Sequence, residues 1–545
     1  MSLKSPLEMF YHWEDKAADT VYLKQPIDGV IKDFTWKETG NQARRIAANL
    51  LAMDLPAGSH IAILSKNCAE WFITDLAIML AGHVSVPIYS TAGVKTIRYV
   101  LDHAKCPVIF IGKLDNTEEQ VAAIDDGIIK LAMPYPNIPV DKQWDELLQT
   151  APFTGKPIPA LDSVMTIVYT SGSTGNPKGV VHNYDSICWA ASSMLNDLGV
   201  DQNDRILSYL PLAHITERVL VEISSFYSGM RIDFIESLDT FSRDVQRTEP
   251  TLFLSVPRLW TRFQMGILAN MPQKKLDFLL SIPIAKGFIS KKIRTKLGLA
   301  KTRLCASGSA PIPVATLDWF TRIGVNISEG WGMTENSAAG TSCMPFRADK
   351  IGCIGRAYTG VEIRIAEDGE IQVKGRCNMK EYYLEPEKTA EVFTEDGFLK
   401  TGDKGSIDSD GYVKITGRLK EIFKTAKGKY VAPSPIESKL MANSSIEQVC
   451  VTGSQLKQPI ALVVLSELAL KQPFEDIEQG LLATLDEVNT TLESHSVLDR
   501  IVIIDDEWTV GNGLLTPTLK IKRHTLEEQY DSVINGNLSG KIAKQ

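Results

Sequence analysis

Apolar residues recur along this chain in two rhythms. Short runs, His60-Ile-Ala-Ile-Leu-Ser65, Val84-Ser-Val-Pro-Ile-Tyr89, Pro107-Val-Ile-Phe-Ile-Gly112, Val164-Met-Thr-Ile-Val168 and Thr251-Leu-Phe-Leu-Ser-Val256, read as buried strands. Between them lie helical patterns such as Trp36 to Leu51. This alternation predicts an α/β fold with layered sheets, much of it parallel. From Val361 to Tyr412 the rhythm changes to short alternating strands with turns at Glu367-Asp-Gly-Glu370 and Ser409-Asp-Gly-Tyr412, which predicts a β-rich subdomain. After Gly417 a further unit of about 130 residues is large enough for a small α/β domain with its own core. Its expected strands are Gln448 to Thr452, Ile460 to Leu465 and Arg500 to Ile504, with a helix from Ile477 to Ser494.

Length and composition narrow this picture. A chain of 545 residues exceeds one ordinary core; at ~150 residues per unit, three to four units follow. Internal repeats and low-complexity tracts are missing. Hydrophobic and charged fractions of 44% and 23% are ordinary for a soluble protein, and a net charge of -8 argues against a general nucleic-acid binder. The cysteines, at 68, 106, 188, 305, 343, 353, 377 and 450, form no Cys-x-x-Cys pair and no zinc pattern, so a reduced cytosol is expected. The first residues lack the apolar core of a secretory signal. The longest apolar stretch, Trp71 to Tyr89, is broken by Asp75 and His83. A cytoplasmic protein, soluble or at most peripheral at the inner face of a membrane, is expected; oligomeric state is left open.

The chemistry begins in Tyr169-Thr-Ser-Gly-Ser-Thr-Gly-Asn-Pro-Lys178-Gly179. Glycines at 172, 175 and 179 let backbone approach phosphate oxygens, and Ser171, Ser173, Thr174 and Lys178 supply donors and one charge. The spacing is not Walker A. By composition alone a Ser/Gly surface loop competes with this reading. The segment resembles the phosphate loop of the adenylate-forming superfamily: acyl-CoA synthetases, luciferases and peptide-synthetase adenylation domains. Five further matches occur in family order: Glu329-Gly-Trp-Gly-Met-Thr-Glu335, Leu399-Lys-Thr-Gly-Asp403, Gly411-Tyr412, Gly417-Arg418-Leu-Lys420-Glu421 and Thr516-Pro-Thr-Leu-Lys520. The chain is identified as a member, with the resemblance running over nearly its full length.

The resemblance implies a large N-terminal domain over residues 1–417, holding ATP, Mg²⁺ and the acyl pocket, and a mobile C-terminal domain over 418–545 with its hinge near Lys420. It also implies two half-reactions, carboxylate plus ATP to acyl-adenylate and pyrophosphate, then displacement of AMP by coenzyme A. In-line attack on phosphorus needs positioning and charge neutralisation more than an enzymic nucleophile. In the family's terms Thr170, Ser171, Gly172, Ser173, Thr174, Gly175 and Lys178 clamp the β- and γ-phosphates. Thr334 meets the α-phosphate, and Glu335 holds Mg²⁺. Asp403 accepts from the ribose hydroxyls, with Arg418 on the same sugar. Gly308, Ser309 and Ala310 with Gly330, Trp331 and Gly332 form the adenine slot. Lys520 bridges carboxylate and α-phosphate during adenylation, and Lys424 enters after domain rotation, although basic residues also stand at 420, 427 and 429. Singly, Asp403 reads as a turn cap and Glu335 as a helix-start carboxylate; only their joint occurrence raises them.

Pro211-Leu-Ala-His214-Ile-Thr-Glu-Arg218, Ser255-Val-Pro-Arg258-Leu-Trp260 and Ala81 to Tyr89 resemble long-chain and bubblegum-type fatty acyl-CoA synthetases. His214 reads either as a residue of the acyl entrance or as a hydrogen-bonded core histidine. Between 190 and 259 no tryptophan occurs to close a tunnel, so tunnel length stays open. The expected substrates are a fatty acid, ATP and coenzyme A. The alternatives are a fatty acyl-AMP ligase serving a carrier protein and a catalytically silent lipid-binding scaffold; a peptide-synthetase module is disfavoured. Finally, Lys274 to Lys296 interleaves cations with Leu276, Phe278, Phe288 and Ile293. That composition permits docking on anionic membrane. The breaks at Pro272, Pro283 and Gly287 favour a solvated face instead.

Overall fold

The computed structural model describes residues 3–135, 138–170, 176–516, 519–536 and 538–545. Two large sheets dominate its first 400 residues. One runs, in spatial order, Glu381–Tyr382, Lys178–Asn183, Val164–Thr170, Val84–Ile88, His60–Leu64, Val108–Ile111 and Ile129–Ala132. Its five last-named strands are mutually parallel, whereas Lys178–Asn183 returns antiparallel beside Val164–Thr170. The expected strands at 60, 84, 107, 164 and 251 all form, each within a residue or two of its sequence limits. The other sheet contains Ile327–Trp331, Leu304–Ser307, Leu252–Ser255, Arg205–Ser208 and Arg231–Phe234 in parallel. An N-terminal hairpin, Val21–Ile27 with Val30–Thr35, closes one edge.

The space between the sheets decides what the apolar run near residue 75 becomes. Helix Ala69–Leu80 is buried at every position, Asp75 included. A buried carboxylate needs a partner. Arg218 supplies it, donating from Nη2 to both Asp75 oxygens at 2.8 Å and to Ser85 Oγ at 2.8 Å. Arg218 opens a π-helical turn, Arg218–Ile223, so the pair ties that turn to the central helix and to strand Val84–Ile88. Glu222 alongside is pushed well above the carboxylate range by burial and by Asp75. Removing one partner of such a pair costs about 3–5 kcal/mol.

The β-rich subdomain is a four-stranded antiparallel sheet in the order Glu362–Ile365, Glu370–Lys374, Leu399–Ile407, Val413–Arg418, interrupted by helix Pro386–Val392. Beyond it, a short turn Leu419–Glu421 leads into a second core. That core lies on strands Ile446–Thr452, Ile460–Leu465, Ile501–Ile504 and Ile542–Lys544, covered by helix Phe474–Thr490. The helix starts three residues before the expected Ile477, behind Pro473, and ends at Thr490 rather than Ser494. Apolar clusters on the two sides of the turn share no residue. Arg258 pairs with Glu447 across the divide. Arg523 is a brace: it donates to Val451 O at 2.7 Å and pairs with Glu437 at 2.8 Å and Glu421 at 3.5 Å.

Candidate active site

Among the described residues, most of the expected site residues, though not Lys424, gather where strand ends of both large sheets meet the antiparallel sheet. Strands Leu304–Ser307 and Ile327–Trp331 are parallel neighbours, and their C-terminal ends carry Gly308, Ser309 and Ala310 beside Gly330, Trp331 and Gly332. At Gly332 backbone excludes a side chain, and at Gly308 it leaves little room for one. A Cβ on Gly332 would stand 2.4 Å from the Ala338 carbonyl oxygen, and one on Gly308 3.2 Å from that of Gly330. Trp331 donates its indole N–H to Asp403 Oδ2 at 2.9 Å. Asp403 Oδ1 accepts from Arg418 Nε at 2.9 Å, the two residues facing each other across paired strands. Asp403 is buried, and its charge raises Arg418 further. One carboxylate therefore holds both the flat wall and the cation in place.

Thr334 and Glu335 lie in a short 3₁₀ turn, Thr334–Asn336, that ends in two consecutive left-handed residues, Ser337 (φ 53°) and Ala338 (φ 58°). Non-glycine residues in that region cost about 1–2 kcal/mol each. The sequence reading missed what holds the turn. His182, fully buried on strand Lys178–Asn183, places Nε2 2.8 Å from the Thr334 carbonyl oxygen and Nδ1 3.3 Å from Ser337 Oγ. Burial pushes its pKa down to about 4, so the ring is neutral, and the carbonyl contact assigns the proton to Nε2. A single imidazole thus touches both ends of the strained turn.

Tyr382 was also missed. Its hydroxyl donates to Glu335 Oε1 at 2.7 Å, and Lys178 Nζ lies over its ring at 4.7 Å from the centroid. Thr170 ends the strand opposite Lys178. The expected phosphate-loop residues Ser171, Gly172, Ser173, Thr174 and Gly175 fall outside the described residues. Both missed residues were hidden by the same fact: sequence spacing does not say which strands end next to which.

Lys520 reaches this cluster from the second core. Its backbone is held in a turn in which Thr516 Oγ1 accepts from Lys520 N–H at 3.1 Å, next to Leu519 at φ 62°. The side chain keeps solvent contact along its length in a cleft crowded by protein atoms, within electrostatic reach of Arg418, Asp403, Glu421 and Glu335. Burial among protein atoms and the Arg418 charge pull its pKa below the usual lysine range, while the three carboxylates oppose them. His214 stands opposite. Burial and then Lys520 hold it down to about 4, and its Nδ1 accepts from Thr216 N–H at 3.2 Å, leaving the proton on Nε2. His214 is therefore both hydrogen-bonded locally and placed at the site. Lys424 is not brought in: it is exposed, with Nζ 5.7 Å from the Tyr430 ring centroid.

An apolar cavity lined in part by Thr216, two residues from His214, reaches the Gly308 and Gly330 strand ends. Leu195, Leu198, Val200, Leu252 and Leu304 are among its apolar lining. Glu329 in its wall is lifted by burial to about 7. A predominantly apolar lining suits a molecule with a long apolar tail.

Comparisons with known proteins give the family and the fold. The AMP-binding enzyme family matches residues 10–383, and the AMP-binding enzyme C-terminal domain matches 421–539. The chain belongs to the AMP-binding enzyme family. It is 30% identical to the long-chain-fatty-acid–CoA ligase FadD15 of Mycobacterium bovis, with 96% of each chain covered. It is 28% identical to fatty acyl-CoA synthetase A of Dictyostelium discoideum, over 93% of this chain and 86% of that one. In fold it matches the anthranilate CoA ligase AuaEII in complex with anthranoyl-AMP, with a TM-score of 0.82, 20% identity and 98% of each chain covered. It also matches the o-succinylbenzoate CoA synthetase MenE of Bacillus subtilis bound to its acyl-adenylate, with a TM-score of 0.74, 22% identity, and 95% and 97% covered. The expected α/β architecture with a separate C-terminal domain is the fold observed.

Proposed function

We propose that this chain activates a long-chain fatty acid, using ATP to form an acyl-adenylate and then coenzyme A to form acyl-CoA, with release of AMP and pyrophosphate. The observation that carries the proposal is the apolar cavity whose wall includes Trp331, the residue hydrogen-bonded to Asp403 and through it linked to Arg418. The full-length relatives named as long-chain fatty-acid and fatty acyl-CoA ligases support the substrate class.

In this reading the acyl chain fills the cavity and its carboxylate attacks the α-phosphorus in line, expelling pyrophosphate. Lys520 neutralises charge developing between carboxylate and α-phosphate, and the Thr334 hydroxyl and His214 Nε2–H donate at the same centre. Asp403 takes the ribose hydroxyls and Arg418 the same sugar, with adenine between Gly308–Ala310 and Trp331. Thr170, Lys178 and the loop from Ser171 to Gly175 bind the β- and γ-phosphates. Among the described residues no three His, Cys, Asp or Glu side chains cluster as a metal cage. Glu335, as one hard carboxylate oriented by Tyr382, fits an Mg²⁺ ion otherwise ligated by phosphate oxygens and water. Such an ion would neutralise phosphate charge. The domains are taken as 1–417 and 418–545, turning near Lys420.

Release of AMP from palmitate and ATP, measured with and without coenzyme A, tests the proposal. Pyrophosphate exchange without any turnover on coenzyme A, restored by an acyl carrier protein, would move the chain to the acyl-AMP ligases. Absence of exchange with every acid tried would leave the scaffold reading.

Two mutational outcomes follow. Asp403→Ala should raise the KM for ATP by roughly 10- to 100-fold and leave that for the fatty acid nearly unchanged, since charge-assisted bonds are worth about 1.5–3 kcal/mol each. Steady-state kinetics at saturating palmitate reads this out, and an unaltered ATP requirement in a folded variant removes Asp403 from the nucleotide site. His182→Leu should lower kcat for pyrophosphate exchange by up to ~100-fold, because the strained turn bearing Thr334 and Glu335 loses its clamp. His182→Gln keeps an N–H near the Nε2 position and should recover most of the loss. Equal impairment in both variants would mean that His182 serves only the core.

A further inference from the structure

The stretch from Gln273 to Lys296 folds as two helices, Gln273–Ser281 and Pro283–Lys296, joined at Ile282. Their inner faces are ordinary. Leu276 and Ile293 are buried, with Leu280 and Ile289 packed against the cluster around Trp260 and Phe320. The outer faces expose large apolar side chains among the lysines. Phe278 is 65% exposed, Ile282 41%, Ile284 90% and Phe288 69%. Ile284 and Phe288 are four residues apart and so share one helical face, which Lys291 and Lys292 continue one turn further on. Single exposed apolar residues are common, but four within eleven positions form a patch that needs a partner.

Charge identifies the partner. Although the chain carries a net charge of -8, this segment holds Lys274, Lys275, Lys286, Lys291, Lys292, Arg294 and Lys296 against one acid. That acid, Asp277, is engaged by Arg322 and by Gln273 Nε2 at 2.7 Å. Among the described residues none of the six lysines enters an ion pair, and all six are exposed. A second copy of the patch would bring like charges face to face. An anionic bilayer instead meets both features at once: acyl interior for the aromatic and branched side chains, and phosphate headgroups for the lysines around them. We propose that the outer face of the helical hairpin Gln273–Lys296 docks on anionic lipid bilayers, inserting Phe278, Ile284 and Phe288 between headgroups held by the surrounding lysines.

The buried residues of the hairpin belong to the same apolar cluster as Phe253 and Cys305 of strands Leu252–Ser255 and Leu304–Ser307. Leu252, Leu254, Leu304 and Ala306 of the same strands line the acyl cavity from the other side. Docking would hold the enzyme at the surface where long-chain acids partition. Its kinetic signature is a lower KM for vesicle-borne acid at unchanged kcat.

Sedimentation of the full chain with extruded phosphatidylcholine vesicles containing about 30 mol% phosphatidylglycerol tests this at about 50 mM and 500 mM salt, concentrations that span the screening of surface charge. The chain should pellet with anionic vesicles at low salt, far less at high salt, and hardly with pure phosphatidylcholine. Phe278→Ser/Ile284→Ser/Phe288→Ser should lose about tenfold or more of that partitioning, and Lys291→Glu/Lys292→Glu several-fold at low salt. Both variants should keep the wild-type melting curve, since only exposed side chains change. The proposal is overturned if the wild type stays in the supernatant at low salt. Equal pelleting of the triple serine variant, salt-independent binding to neutral lipid, or a wild-type dimer that the triple variant dissolves would overturn it as well. Because the readout is partitioning rather than turnover, failure here leaves acyl activation standing.

Discussion

Replacing Lys520 by alanine is expected to lower acyl-adenylate formation by about 10²- to 10³-fold, the usual effect of removing one preorganised charge from a transition state. The second half-reaction, started from supplied palmitoyl-adenylate and coenzyme A, should fall little. The asymmetry follows from where Lys520 stands. It is the C-terminal core's cation facing His214, Arg418, Asp403 and Glu335 in this pose, and its depressed pKa reflects the burial and the Arg418 charge that it must bear there. Only adenylation develops new charge between a carboxylate and the α-phosphate, so only that step should miss the ammonium. Pyrophosphate exchange reads the first half-reaction and thioester formation the second. Equal losses in both would mean that Lys520 organises the cleft rather than the transition state.

Much of this architecture was legible because parallel strands buried on both faces leave continuous apolar runs, as at His60–Leu64 and Val108–Ile111. Helix Trp36–Leu51 was legible end to end. Thr35 and Glu38 form a reciprocal capping box at its start, and its apolar residues keep one face. The run around Asp75 was harder. A charge inside an apolar stretch looks like an interruption until Arg218, distant in sequence, is seen to neutralise it. The site divides in the same way. Residues within motifs, such as Asp403, Arg418 and Lys520, were named from the chain. His182 and Tyr382 were not, because their importance lies in contacts between strands that sequence order leaves unspecified. The basic hairpin was read toward a solvated face because Pro283 breaks the helical run. In the fold that proline opens the second helix, and Phe278, Ile284 and Phe288 turn outward.

Lys420→Pro should separate the half-reactions from the opposite direction, leaving adenylation largely intact while acyl-CoA formation falls by about tenfold or more as domain motion becomes limiting. Lys420 lies in the 3₁₀ turn Leu419–Glu421, where backbone φ falls in the range that proline fixes. The turn's hydrogen bond, from Ile422 N–H to the Arg418 carbonyl at 3.1 Å, does not involve the Lys420 N–H. Proline is thus compatible with the pose in which Lys520 faces the site and opposes any pose that needs another φ at 420. Lys424 sits four residues on, exposed beside Tyr430 and outside the cleft. If the thioester step requires its face to turn inward, acyl-adenylate should accumulate in the proline variant even with coenzyme A in excess, and quenched-flow separation of acyl-AMP from acyl-CoA would show it. Lys424→Ala should bias the products the same way without touching the turn. Retained adenylation guards against a folding defect. Acyl-CoA released by Lys420→Pro at the wild-type rate would exclude rotation about residue 420 from the mechanism.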